Sequence, residues 1–324
     1  MTLHVAFVTD RTYLPWCATA LLSCADAHPA GGVRAHVVHD GTLTADDVDD
    51  LQAMAPSLAV AVHEADPELV RHLPALDRFG RVVWLRFLLP ELLPEVDRVL
   101  YLDADTLVTA PLLELAELDL GGAPVAAVLN VMHPDDRTRL GTVGLDPAGF
   151  FNSGVLLLDL AQLRREGFIE QVAAAVESLG DQMLWPDQDV LNLVFADRWH
   201  RLHPRFNAQN SVFDWPTVAD RALGPDERRR AVNDPAVVHF EGPYVCKPWH
   251  LLSNHLWRDR YRATLARTPW AEVSLDDDSW VTRSIHRLPR AWQLPIYEQV
   301  VRSRGGRRPS VRGAWQRYRA GEPR

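Results

Sequence analysis

Cysteine is scarce: Cys17, Cys24 and Cys246 are the three in 324 residues, and no two stand in a CxxC spacing. That excludes a disulfide scaffold and a cysteine zinc module, and it suits a reducing compartment. No apolar run approaches the roughly 18 residues that a membrane-spanning helix needs. The opening Met1-Thr2-Leu3-His4 has neither the charged start nor the small-residue cleavage site of a secretory signal, so a cytoplasmic protein is expected. Lysine is scarcer still, with 33 arginines against the single Lys247. A bias toward arginine, alanine and proline follows from genomic base composition. A lysine that survives it marks a place where a compact ammonium does what guanidinium does not. Positive charge is short overall: the net charge is −9, which argues against nucleic acid as a partner. The shortage is uneven, because residues 281–324 hold 11 arginines and two acids while residues 1–280 carry −18. The chain divides on that basis into a body, 1–280, and a basic tail, 281–324, suited to an anionic surface.

What is present is an alternation of strands and helices. The segments 4–10, 34–40, 58–64, 98–103, 125–129, 153–159 and 237–240 read as strands. Helical spacing covers 13–28 and 81–93, and Thr44 is a good N-cap for a helix through Met54. Such alternation predicts an α/β domain around a mainly parallel sheet flanked by helices. Ligands in these sheets sit at the carboxyl ends of strands. The polar residues that follow the apolar runs are therefore the candidates: Asp10, Asp103-Ala104-Asp105, Asn130 and His239.

Leu100-Tyr101-Leu102-Asp103-Ala104-Asp105 places two carboxylates at a buried strand exit. They repel each other there, and a divalent cation removes that cost; oxygen ligands suit Mg2+ or Mn2+. An isolated pair of this kind is equally well a turn cap beside a solvated acid. Val237 to Trp249 adds a strand-end histidine, His239, a glycine, Gly242, that lets backbone approach a ligand, and Lys247, a point charge suited to phosphate. Asn152 in Phe151-Asn152-Ser153-Gly154 suits a sugar hydroxyl or a plain turn. In Asp187-Gln188-Asp189, Asp187 is a good N-cap and Asp189 a good first-turn acid.

The order and spacing of these segments, with Phe7-Val8-Thr9-Asp10 and Tyr13 before them and Arg86 upstream of the acids, resembles glycosyltransferase family 8 over about residues 3–260. That family includes retaining bacterial lipooligosaccharide galactosyltransferases and glycogenin. The resemblance implies a GT-A fold, a UDP-sugar donor and Mn2+, with Mg2+ as the alternative. It assigns the metal to Asp103, Asp105 and His239, and the diphosphate to Lys247 with the Gly242 backbone. Uridine falls to Val8, Asp10 and Tyr13, and Ala104 lies between the two acids. Arg86, Asn152 and Asn130 are assigned to the donor sugar or its phosphate, and Asp187 with Gln188 to the reacting sugar. Three positions depart from the family pattern: Thr12 stands where Asn is frequent, Asn130 where galactosyltransferases carry Asp, and Gly242 and Lys247 are five apart rather than three.

The expected reaction is hexosyl transfer, of glucose or galactose, to the hydroxyl of a glycan, a lipid-linked acceptor or a small molecule. Gln188 is a weak nucleophile, which favours attack on the leaving-group face with phosphate taking the acceptor proton. The tail mixes arginine with Trp280, Trp292, Tyr297, Trp315 and Tyr318, which suits a peripheral position on the inner face of a membrane. Two rival readings exist. One is a non-catalytic UDP-sugar-binding protein. The other is a haloacid-dehalogenase-like phosphatase with Asp103 as nucleophile, Lys247, and Asp276-Asp277-Asp278 as its last acids.

Overall fold

A seven-stranded sheet runs through the protein in the order β3-β2-β1-β4-β7-β6-β8. The computed structural model describes residues 2–70, 73–74, 81–132, 134–242 and 244–303. Pro243 and the stretch 304–324, with Trp315 and Tyr318, lie outside the described residues. The first half is a regular alternation: β1 (Leu3–Thr9), α1 (Leu14–Ala27), β2 (Val33–His39), α2 (Ala45–Ala53) and β3 (Ala59–Glu64). Thr44 caps α2 as expected, and Asp47 returns a bond to the Thr44 backbone to complete a capping box.

The remaining strands are β4 (Arg98–Leu102), β5 (Thr106–Val108), β6 (Val125–Leu129), β7 (Phe151–Asp159), β8 (Trp199–Arg201), β9 (Ala208–Gln209) and β10 (Val237–His239). β1, β2, β3 and β4 pair in parallel, whereas β7 is antiparallel to both β4 and β6. That reversal matters: the start of β7, with Asn152 and Ser153, reaches the edge where β1 and β4 end. β10 is not part of this sheet. It pairs with β5 antiparallel and β9 parallel in a second, three-stranded sheet.

The central strands β1, β4 and β6 are mostly apolar because both faces of the sheet are covered there. Val5, Phe7, Leu100, Leu102, Val155 and Leu157 pack toward α1. Their alternates Ala6, Val8, Val99, Tyr101, Leu156 and Leu158 pack toward the helices Phe168–Leu179 and Pro186–Phe195. The expected helix over 81–93 is instead a 3-10 stretch, Val82–Leu88, followed by one α turn, Leu89–Leu92. Pro90 has no N–H to give the Arg86 carbonyl, so the wider ladder cannot run through; Leu89 N–H bonds that carbonyl instead. After the second sheet come the helices Arg258–Leu265, Trp280–His286 and Arg290–Ser303. No helix among the described residues is long and apolar enough to cross a membrane.

Candidate active site

The two acids sit where both sheets meet. Asp103 N–H donates to the Gly154 carbonyl at 2.8 Å, and Phe240 N–H donates to the Asp105 carbonyl at 2.9 Å. These bonds bring the strand-end histidine across to the acids. His239 Nε2 lies 3.7 Å from Asp103 Oδ2 and 3.3 Å from Asp105 Oδ1. One ligand atom from each of Asp103, Asp105 and His239 falls within 4.8 Å of the others.

The imidazole is held for this purpose. Its Nδ1 is 3.0 Å from Asn207 Oδ1, and Asn207 Nδ2 donates to Asn152 Oδ1 at 2.8 Å. The amide oxygen of Asn207 therefore faces the ring, Nδ1 carries a hydrogen, and Nε2 is the nitrogen turned to the carboxylates, where it serves as a ligand atom once deprotonated. The ring fits because residue 154 has no side chain: a Cβ there would lie 2.2 Å from His239 Cε1. Two carboxylates and an oriented imidazole form a donor set that fits Mn2+ or Mg2+.

The cost of the paired acids is met by two cations from different elements. Arg86 bonds Asp103 at 3.1 Å and Asp187 at 2.7 Å, lies over the Tyr101 ring, and donates to the Val83 carbonyl. Lys247 bonds Asp105 and donates to the Phe240 carbonyl at 2.8 Å. The longer spacing after Gly242 does not remove it, because a 3-10 turn, Tyr244–Cys246, takes up the extra residues. The two acids consequently differ. Burial raises the Asp103 carboxyl despite Arg86. For Asp105 burial is outweighed by Lys247 and His239, which hold it well below the usual carboxylate range. His239 is raised, burial notwithstanding, by Asp105 and Asp103.

Asp187 does not cap its helix. Trp185 occupies the cap position without a side-chain bond, and the Asp187 carboxylate turns inward to Arg86 and to Ser153 Oγ at 2.9 Å. Gln188 Oε1 accepts from Ser153 N–H at 3.0 Å. Asp189 is fully buried, paired with Arg139 at 3.0 Å and accepting from Leu184 N–H. Asn192 exchanges two bonds with the Phe151 backbone and so fixes the helix against β7.

Asn152 donates toward Asn130 Oδ1 and toward Glu241 Oε2, both at 3.3 Å, while Ser211 Oγ donates to Glu241 Oε1 at 2.9 Å. Burial pushes the Glu241 carboxyl up. At the end of β1, Asp10 accepts from Tyr13 N–H at 2.8 Å, and Tyr13 meets the edge of Trp249. Ala104 is buried between the acids, Val8 lies in the core below, and Gly242 takes a left-handed φ of +84° beside Cys246. Asn207, Glu241 and the ring-clearing role of Gly154 escape sequence reasoning, since none carries a spacing signal of its own. The phosphatase acids do not assemble here: Asp276 binds Trp249, Asp277 binds Tyr297 and Asp278 binds Arg283.

Comparison with known proteins bears on the family and the fold. The sequence pattern of glycosyl transferase family 8 matches residues 4–253. General stress protein A of Bacillus subtilis is 28% identical over 247 residues, covering 74% of this chain and 85% of that protein. The lipopolysaccharide 1,3-galactosyltransferase of Salmonella typhimurium is 26% identical over 284 residues, covering 84% and 80%. The crystal structure of the galactosyltransferase LgtC with donor and acceptor sugar analogs superposes with a TM-score of 0.73 at 27% identity, over 82% of this chain and 96% of that one. The mixed sheet with its flanking helices is the GT-A fold, and the chain belongs to glycosyl transferase family 8.

Proposed function

We propose that the protein is a retaining hexosyltransferase that moves glucose or galactose from a UDP-sugar to an acceptor hydroxyl. The observation that carries this reading is the convergence of Asp103, Asp105 and His239, drawn from two sheets, with Lys247 at their margin. Those three side chains would hold Mn2+ or Mg2+, which supplies Lewis acidity to the donor's diphosphate.

Lys247 gives two of its three N–H bonds to Asp105 and Phe240, and the third faces the diphosphate beside the Gly242 backbone. Val8, Asp10, Ala104 and Tyr13 border uridine. Arg86 holds Asp187 in place, and Asp187, Asn130 and Asn152 receive the sugar hydroxyls. The Gln188 amide, oriented by Ser153 N–H, lies by the anomeric carbon. An amide oxygen is a poor nucleophile, so the acceptor attacks from the leaving-group face and a donor phosphate oxygen takes its proton. The lipopolysaccharide relatives favour a glycan or lipid-linked acceptor over a small molecule.

The body, residues 1–280, carries this chemistry. The segment from 281 on, with Arg283, Arg287 and Arg290 beside the exposed Trp280 and Trp292, faces an anionic inner-membrane surface from the cytoplasm. UDP release from a panel of UDP-hexoses with Mn2+ tests the reaction. Turnover is expected for the wild type and a loss of at least a hundredfold in Asp105→Asn; undiminished turnover in that variant overturns the metal assignment. Sedimentation with anionic liposomes tests the surface. The double variant Trp280→Ser, Trp292→Ser should pellet less than wild type, and equal pelleting discards the membrane role.

A further inference from the structure

The family match ends at residue 253, yet the chain goes on to pack residues 276–301 against the loop that carries Lys247. Val245 lies between Gly242 and Lys247, within the stretch that lengthens this loop. It is buried in one cluster with Leu252, Ile285, Leu294 and Tyr297. Polar contacts reinforce the apolar ones. Asp276 N–H donates to the Trp249 carbonyl at 2.9 Å, Leu251 N–H donates to the Asp276 carbonyl at 3.1 Å, and Trp249 Nε1–H donates to Asp276 Oδ2 at 3.1 Å. The next residue, Asp277, has a left-handed φ of +58°, a conformation that costs free energy in any residue but glycine. Tyr297 donates its hydroxyl to the Asp277 carboxylate. His250 Nε2 stands 3.4 Å from that hydroxyl and 3.9 Å from Asp277 Oδ2.

Trp249 is where this cluster meets the active site. Its ring stacks on Trp16 at 4.5 Å, and the Lys247 ammonium sits over it, 5.6 Å from the centroid. A continuous set of contacts thus runs from the helix Arg290–Ser303 through the turn at Asp276-Asp277 to Trp249, Lys247 and Asp105. We propose that Tyr297 is a positioning residue for the donor diphosphate: its hydroxyl fastens the strained Asp276-Asp277 turn, and that turn fastens Trp249 and so Lys247. Residues beyond the family match therefore set donor affinity. This rests on the proposed donor site for its meaning, and on the contacts alone for its mechanics.

The test uses the full chain with Tyr297→Phe, which keeps the ring and removes the hydroxyl. Three readouts apply: amide hydrogen exchange over 247–252 without ligand, calorimetric affinity for UDP with Mn2+, and kcat against KM for the UDP-hexose turned over. Exchange over 247–252 should quicken at least tenfold while β1 to β3 stay protected. The UDP dissociation constant and KM should rise five- to tenfold, with kcat within twofold. Asp277→Gly takes the positive φ freely and removes the same bond, so it should behave alike; Asp277→Asn keeps an acceptor for Tyr297 and should stay near wild type. Unchanged exchange and UDP affinity in Tyr297→Phe and Asp277→Gly overturn the proposal. So does exchange that quickens equally across β1 to β3, which is what general destabilisation produces. If wild type itself fails to bind UDP, the donor reading falls, and the exchange over 247–252 still decides whether Tyr297 holds the loop.

Discussion

Gly154→Ala isolates the placement of one imidazole. The backbone of Gly154 is not in the left-handed region, so alanine meets no conformational penalty and loses less entropy on folding than glycine. Its effect is steric. The new Cβ would lie 2.2 Å from His239 Cε1 and under 3 Å from both ring nitrogens, where 3.4 Å begins ordinary contact. The ring must therefore retreat by about 1.2 Å, at an overpacking cost of about 1–3 kcal/mol. It cannot do so while Nδ1 keeps its 3.0 Å contact with Asn207. A misplacement near 1 Å in a reacting array costs about a hundredfold in rate. Gly154→Ala should thus fold with a modestly lowered melting temperature, lose most Mn2+-dependent UDP binding in calorimetry, and lose about two orders of magnitude in kcat/KM. Removing the ring removes the clash: adding His239→Ala should restore much of the melting temperature without restoring activity, a non-additive pair. Wild-type UDP binding and turnover in Gly154→Ala would refute the reasoning, because the site would then not depend on where His239 stands.

Arg86→Gln leaves the buried Asp103 and Asp187 without their shared cation, so thermal unfolding should show a loss of about 3 kcal/mol, with added Mn2+ recovering part of it. Gln188→Glu keeps an acceptor for Ser153 N–H; UDP affinity by calorimetry should remain within threefold while kcat changes, and a large loss of UDP binding would place Gln188 on the nucleotide instead. His255, set against Phe213 and Phe240, is held down to about 4 by burial, below its unfolded value of about 6.5. Its contribution is therefore complete above pH 6.5 and is lost as pH falls toward 4, by at most about 3 kcal/mol. Melting curves across that window should show the decline in wild type and a shallower one in His255→Phe; identical slopes would mean that other groups carry it.

The strands β1 and β4 are legible because their apolar cores, Val5–Val8 and Val99–Leu102, are buried on both faces, and the polar residue that follows each marks the edge where ligands gather. The direction of β7 is not legible. Its apolar stretch Val155–Leu158 looks like those of its neighbours, and only the pairing with β4 and β6 shows that the strand runs backwards and so delivers Asn152 and Ser153 at its start rather than its end. Asp187 carries the usual sign of a helix cap, and the buried guanidinium of Arg86 draws it away from that position. Asn207 orients His239 from a short 3-10 stretch with no periodicity to reveal it.

Lys247 shows where counting residues misleads. The five-residue gap after Gly242 suggests an ammonium carried out of reach, since a flexible loop places its tip by length. Here the loop is fixed at both ends. Phe240 is tied to Asp105 at one end, and at the other Trp249 is stacked on Trp16 and bonded to Asp276. Lys247 lies two residues before the second anchor, so its place follows from Trp249, and the added residues are taken up by the turn Tyr244–Cys246 and by Val245 in its apolar pocket. An insertion between two anchored points changes what the loop packs against before it changes where its charge ends up.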